Sequence, residues 1–190
     1  MPSPENKEFS PYAETLLELA RTSIQSGLHT GQVLHVDPSE YAPPLRTPRA
    51  TFVTLHVAQA LQGCVGTLEA TRPLVTDVAE NAFSAAFQDP RFKPLKSSQL
   101  PELDLRISVL SSLERLHVDS EASLIEQTRP KIDGLLLREG SQTGTFLPAV
   151  WKSLTDARTF VTELKRKAGL PADYWSETME FYRYTTETIP

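Results

Sequence analysis

Residues Thr51 to Leu68, TFVTLHVAQALQGCVGTL, decide the fold. Through Val57 apolar and polar residues alternate, placing Val53, Leu55 and Val57 on one face and Thr54 and His56 on the other. That is the period of a strand with one buried side. The short turn Ala58 to Ala60 then leads into LQGCVGTL, and the two runs read as a β-hairpin. With Val57 paired to Leu61, Thr54 lies opposite Cys64, and His56, Gln62 and Cys64 share the face turned away from the core.

The rest of the chain builds around this hairpin. Upstream, Ser10 and Pro11 open a helix through YAETLLELARTSIQS (12–26), whose residues Leu16, Leu19, Ala20 and Ile24 share a face and which Gly27 would end. The proline-rich stretch 28–48 is an ordered loop that docks through Val33, Tyr41 and Leu45. Downstream, Thr71 caps a helix starting at Pro73, which buries Leu74, Val78, Ala82, Phe83 and Ala86 and stops at Asp89 and Pro90. LDLRISVL (103–110) alternates again, and SEASLIEQ (120–127) is a short helix. KIDGLLLREGSQTGTFL (131–147) forms a second hairpin turning at Glu139, Gly140 and Ser141. In the helix of DARTFVTELKRKAG (156–169), Lys165, Arg166 and Lys167 match the macrodipole at its last turn. TMEFYRYTTETI (178–189) reads as one closing strand. The fold class is α+β with mostly antiparallel strands, and the order strand, turn, strand, helix occurs twice, which suggests a structural duplication.

Composition limits the function classes. The 190 residues suit one domain, 1–190, with residues 1–10 flexible. A net charge of −5, from 19 Lys and Arg against 24 Asp and Glu, argues against nucleic acid. No apolar run approaches the roughly 18 to 20 residues of a membrane span, and the start has no signal-peptide core, so a cytoplasmic protein without a membrane partner is expected. One cysteine allows no internal disulfide. Zinc spacing, a phosphate loop and a dinucleotide fingerprint are all missing, so no cofactor and no metal are expected.

Cys64 has two readings. A lone cysteine in an apolar strand is ordinarily a small buried residue; as a nucleophile it needs an open site and a partner. Gly63 and Gly66 on either side let another group approach the strand closely, which fits a binding cleft or a tightly packed crossing. Asp77 and Asn81 share a helix face that reaches toward the C-terminal end of the cysteine strand, where solvation is the plainer reading. Arg91 either pairs a carboxylate beside a buried Phe92 or clamps an anion.

The runs LQGCVGTLEATRPLVTDVAENAFSAAFQDPRFKPL, LRISVLSSLE, GTFLPAVW and FVTELKRKAGLPADYW, with the helix LLELARTSI, resemble the AMMECR domain family. Within it they look like the bacterial and archaeal branch called AmmeMemoRadiSam system protein A. The resemblance implies a barrel-like sheet with flanking helices, in a large lobe holding both termini and a small lobe, with a signature block, Leu-Arg-Gly-Cys-Ile-Gly, near a cleft. Leu61, Gln62, Gly63, Cys64, Val65 and Gly66 fall on that block. Gln62 stands where the family usually has arginine, which removes a bidentate anion clamp. The resemblance also implies association with a Memo-like protein and a radical SAM protein, and no assigned reaction. Two functions follow. In the first, an enzyme or enzyme component uses Cys64 as nucleophile or thiol carrier on an unknown small-molecule or protein substrate. Gln62 and main-chain N–H groups from Gly63 to Thr67, Gly66 included, then position an oxyanion, Asn81 adds to the binding set, and Arg91 holds an acidic group. In the second, a non-catalytic adaptor binds the Memo-like or radical SAM partner with Cys64 merely packed.

Overall fold

A computed structural model describes residues 7–190. The helices are α1 (Ala13–Thr30), α2 (Pro43–Arg46), α3 (Leu74–Phe87), α4 (Glu121–Gln127) and α5 (Ala157–Lys167). The strands are β1 (Thr51–Val57), β2 (Ala60–Gly66), β3 (Leu103–Leu110), β4 (Glu114–Leu116), β5 (Gly134–Glu139), β6 (Gln142–Phe146), β7 (Glu180–Tyr184) and β8 (Thr186–Ile189). They form two four-stranded sheets, ordered β2-β1-β3-β8 and β4-β7-β5-β6. The pairs β1–β2, β1–β3, β4–β7, β5–β6 and β5–β7 are antiparallel. Where a barrel-like sheet was expected, the strand order of each sheet is linear and open-ended.

The chain divides into two compact units, one of residues up to Ser111 with Glu187–Pro190, the other Ser112–Thr186. In the first, the alternation of β1 and β3 turns Val53, Leu55, Leu105 and Ile107 inward against Leu16, Ile24, Val75, Val78 and Ala82 of α1 and α3. In the second, Leu135, Leu137 and Phe181 meet Leu124, Phe160, Val161 and Leu164. There the Trp151 ring stacks on Phe160 at 3.9 Å.

The duplication has a topological form that periodicity does not reveal. Chain order reads helix, hairpin, helix, strand, strand twice: α1-β1-β2-α3-β3-β4, with the short α2 inserted, and then α4-β5-β6-α5-β7-β8. In each sheet the hairpin lies at one edge and the next strand beside it, but the fourth strand comes from the other repeat. The closing run read as one strand is accordingly cut at Thr185, with β7 in the second sheet and β8 in the first.

Several sequence expectations are corrected. Helix α1 passes through Gly27 and ends at Gly31, the left-handed cap with φ +71°. Gly27 is instead a contact point, since a Cβ there would lie 2.3 Å from the Phe87 ring and 2.9 Å from the half-buried Phe83. Ser10 does not cap the helix; it belongs to a 3₁₀ turn, and its main-chain N–H and that of the buried Phe9 donate to the Glu187 carboxylate at 2.7 and 3.0 Å. Residues 1–6 of the stretch expected to be flexible lie outside the described residues. The loop around 28–48 docks through Leu45 and Val36, while Val33 is 41 % exposed. Pro73, with no side-chain cap, precedes α3, so Thr71 plays no capping role. Lys165 is fully buried: its ammonium pairs with Glu121 and donates to Ala172 O at 3.1 Å, so it does more than answer the α5 dipole.

Strand β2 rests directly on helix α3. A Cβ on Gly63 would lie 2.0 Å from the Ala85 carbonyl oxygen, and one on Gly66 2.4 Å from Thr51 O. Of the two readings of these glycines, the tightly packed crossing is the one the structure contains. Because the obstacle at Gly63 is main chain, it cannot rotate aside, and Gly63→Ala should destabilise the protein by about 1–3 kcal/mol, as overpacked core substitutions do. The urea midpoint of the variant checks this; an unchanged midpoint would show that β2 and α3 can separate freely.

Candidate functional site

The hairpin reaches the expected pairing of Thr54 with Cys64 by an unexpected route. Its turn has two residues, Ala58 and Gln59, both at positive φ (48° and 68°), so Val57 faces Ala60 and His56 faces Leu61. This is the geometry whose twist suits two-residue hairpins, here adopted without glycine. The register then shifts between Leu55 and His56, so that Leu55 faces Gly63 and Gln62 is the extra residue of a β-bulge. Beyond the bulge Thr54 faces Cys64. The outer face of the sheet therefore carries two rows, Leu61–His56–Asp104 and Cys64–Thr54–Arg106. His56 and Cys64 share this face as expected, but Gln62 leaves the alternation.

Cys64 is half-buried, with Sγ 3.2 Å from Thr54 Oγ1. Its main chain is clamped from the open edge of β2. The Cys64 N–H donates to Asp89 Oδ2 at 2.9 Å, and Arg91 Nη2 donates to Cys64 O at 3.2 Å. Arg91 also grips Asp89 in a two-point pair, Nε to Oδ1 at 2.9 Å and Nη2 to Oδ2 at 2.7 Å. The Asp89 carboxyl is consequently held well below the usual carboxylate range. The Arg91 side chain is the main cause; desolvation opposes it, and the N–H groups of Cys64 and Arg91 add to the lowering. The same pair holds the Arg91 guanidinium above its ordinary value. Phe92 is half-buried, its ring 5.3 Å from the Arg91 guanidinium.

A second polar centre lies beneath the other end of β2. Asp77 and Asn81, expected in solvent, are 0 % and 3 % exposed. Asp77 accepts from Thr51 Oγ1 at 2.6 Å, Thr67 Oγ1 at 2.9 Å, Asn81 Nδ2 at 2.9 Å and Arg72 Nε at 2.8 Å. Asn81 also donates to Thr51 O at 3.1 Å, and Thr67 N–H donates to the same oxygen at 2.9 Å. An ionised carboxylate with four donors is a satisfied buried charge. This network locks the starts of β1 and α3 to the end of β2.

The sequence-derived site residues thus fall into two clusters. Gln62, Gly63, Cys64 and Arg91 meet at the Asp89 clamp, with Gln62 Nε2 donating to Lys93 O at 2.8 Å. Thr67 and Asn81 meet at Asp77, and Gly66 packs on β1. Thr51 is a neighbour the sequence reading missed, Asp89 one it took for a helix stop, and Asp77 one it placed, with Asn81, in solvent. A carboxylate and an amide four residues apart between Leu74, Val78, Ala82 and Ala85 of an otherwise apolar helix face were the available signal. Among the described residues, no three His, Cys, Asp or Glu side chains are grouped to hold a metal ion, and no helix is long and apolar enough to cross a membrane.

Fold and site define an α+β protein with two helix-backed antiparallel sheets and a cysteine held on an edge strand by an Asp–Arg clamp. The AMMECR1 family profile matches residues 17–189. The chain belongs to the AMMECR1 family. A protein of Methanothermobacter thermautotrophicus is 35 % identical over 179 residues, 91 % of each chain. Protein MK0488 of Methanopyrus kandleri is 34 % identical over 93 % of this chain and 86 % of its own. The crystal structure of the uncharacterized protein PH0010 from Pyrococcus horikoshii superposes with a TM-score of 0.85 at 32 % identity, covering 94 % of this chain and 90 % of that one.

The clamp has a pH signature. A carboxyl lowered by folding contributes stability that is fully present above its unfolded value of about 3.9 and is lost as pH falls below it toward the folded value. Urea midpoints measured from pH 6 down to pH 2 should therefore fall less steeply for Asp89→Asn than for the wild type. Parallel profiles would mean that the Arg91 pair contributes nothing to folding.

Proposed function

We propose that this chain is the binding component, rather than the catalyst, of an AmmeMemoRadiSam-type system, engaging the Memo-like or the radical SAM protein, with Cys64 as a packing residue. One observation carries the reading: the groups an active cysteine would draw on are already bonded within the protein. The Cys64 N–H belongs to Asp89, the Gln62 amide to Lys93 O, the Thr67 hydroxyl and N–H to Asp77 and Thr51, and the Arg91 guanidinium to Asp89 and Cys64 O. An oxyanion hole requires donors aimed at the developing charge, and here they are aimed at protein acceptors. The sulfur's hydrogen-bonding neighbour is the Thr54 hydroxyl, which is no general base. Neutral Gln62 at the signature position agrees with a block that shapes a surface and does not bind an anion. System membership rests on the sequence blocks that resemble that branch.

The competing reading, a thiol-dependent enzyme, is favoured by one fact: Cys64 is half-buried and not sealed. Iodoacetamide labelling at pH 7, followed by intact mass, separates the two. The binding reading expects native protein to react roughly tenfold or more slowly than the unfolded chain, as packed thiols do. It also expects Cys64→Ala to co-elute with the Memo-like or radical SAM protein in size-exclusion chromatography as the wild type does. Fast native labelling, with loss of system turnover in Cys64→Ser, would return the function to the thiol.

A further inference from the structure

The loop after α3 carries positive charge that the Cys64 clamp does not use. Residues 90–101 hold Arg91, Lys93 and Lys96 and no acid, in a chain whose net charge is −5. All three are exposed. Asp89 balances the charge of Arg91, but the guanidinium spends only Nε and Nη2 on Asp89 and on Cys64 O, and its side chain stays 57 % exposed. The ion pairs among the described residues leave out Lys93 and Lys96 altogether.

The main chain beneath these charges is fixed. Leu95 is buried and its N–H donates to Ala86 O at 2.8 Å, the Phe92 N–H donates to Asp89 O at 3.1 Å, Lys93 O accepts from Gln62 and the Lys96 N–H donates to Gln99 Oε1 at 2.9 Å. Pro90 and Pro94 hold φ at two further positions. Only side-chain freedom is left to be lost when a partner arrives. The edge beside the loop decides what that partner uses. β2 is an outer strand, but the Cys64 N–H and C=O are taken by Asp89 and Arg91, so an extended segment finds no ladder to join there. Recognition falls to side chains, and two ammonium groups with a spare guanidinium nitrogen only donate. Carboxylates are the groups that answer them. A short acidic segment meets this loop alone, whereas a nucleic acid extends over a surface of net negative charge.

We propose that the loop 90–96 is a docking surface for an acidic protein segment, whose carboxylates pair with Lys93, Lys96 and Arg91 Nη1. The proposal rests on the binding reading above and names the chemistry of the partner at this face. Such pairing gives specificity and speed of encounter, and salt weakens it.

The test titrates the full chain with a capped hexaglutamate peptide and follows the backbone amides by NMR, with hexalysine as control. The proposal expects saturable shifts at residues 91–96 that hexalysine does not reproduce and that the exposed Arg166 and Lys167 of α5 do not share. The double variant Lys93→Glu, Lys96→Glu should weaken binding roughly tenfold or more, as should raising the salt from about 50 to about 300 mM. Both lysines are exposed, so the variant should fold, and its thermal midpoint checks that. The same variant should also lose co-elution with the Memo-like or radical SAM protein. Shifts that are absent, or spread over every basic residue, would overturn the surface. So would tighter binding of an oligothymidylate of equal charge, which would assign the loop to nucleic acid. Co-elution that survives the double reversal would overturn the surface and leave the binding reading standing, whereas a wild type that co-elutes with neither protein would overturn that reading and the proposal with it.

Discussion

The close approach of β2 to α3 is the constraint on which the rest of the first unit depends. At Gly63 the strand lies so near the helix that the Ala85 carbonyl occupies the space a side chain would need. This one contact sets the height of the helix against the sheet. Four residues after Ala85 the chain reaches Asp89, at the level of the Cys64 N–H, and eight residues before it stands Asp77, under Thr51 and Thr67. Both polar centres therefore hang on a single main-chain contact. A separation of even 1 Å would stretch hydrogen bonds of 2.6 to 2.9 Å beyond useful length.

The clamp on Cys64 also handles the open edge of the sheet. β2 lies at the end of its sheet, where unpaired N–H and C=O groups invite another strand. Asp89 and Arg91 present an acceptor and a donor to the Cys64 main chain, the two groups a neighbouring strand would offer, and they do so from side chains that cannot propagate a ladder. The two-point ion pair holds them in register with each other. The stretch around Cys64, which suggests chemistry in the sequence, is thus in the folded chain also a sheet edge whose main-chain groups are already paired.

Much of this was legible in the sequence, and what was not has physical reasons. Alternation marked β1 and β3 because one face of each is buried and the other wet, and Thr54 was correctly set opposite Cys64. That result combined a turn one residue too long with a bulge left out, two errors of register that cancel. A bulge leaves no mark in a binary pattern, because it is defined by the partner strand. Asp77 was assigned to solvent and Lys165 to the helix dipole alone, since a buried charge is not legible until its partner is known, and Thr51, Arg72 and Glu121 lie far off in sequence or on another element. Gly27 was taken for a helix end because glycine serves equally for a left-handed cap and for close packing, and only Phe83 and Phe87 decide between them. The break at Thr185 was invisible for a similar reason: β7 and β8 have the same strand-like composition and differ only in the sheet they join.

The exchange of fourth strands bears on how the chain folds as it is made. β8 pairs with β3, yet 75 residues of the second unit, Ser112–Thr186, are synthesised between β3 and the residues of β8 that the first unit counts as its own. Until then β3, with Leu103, Leu105, Ile107 and Val109 along one face, is an unpaired edge on the nascent chain. Closing that loop costs entropy that grows only slowly with its length, so the finished protein bears little penalty. The exposure is kinetic: it is confined to the interval in which the second unit is made, before β8 is available to pair.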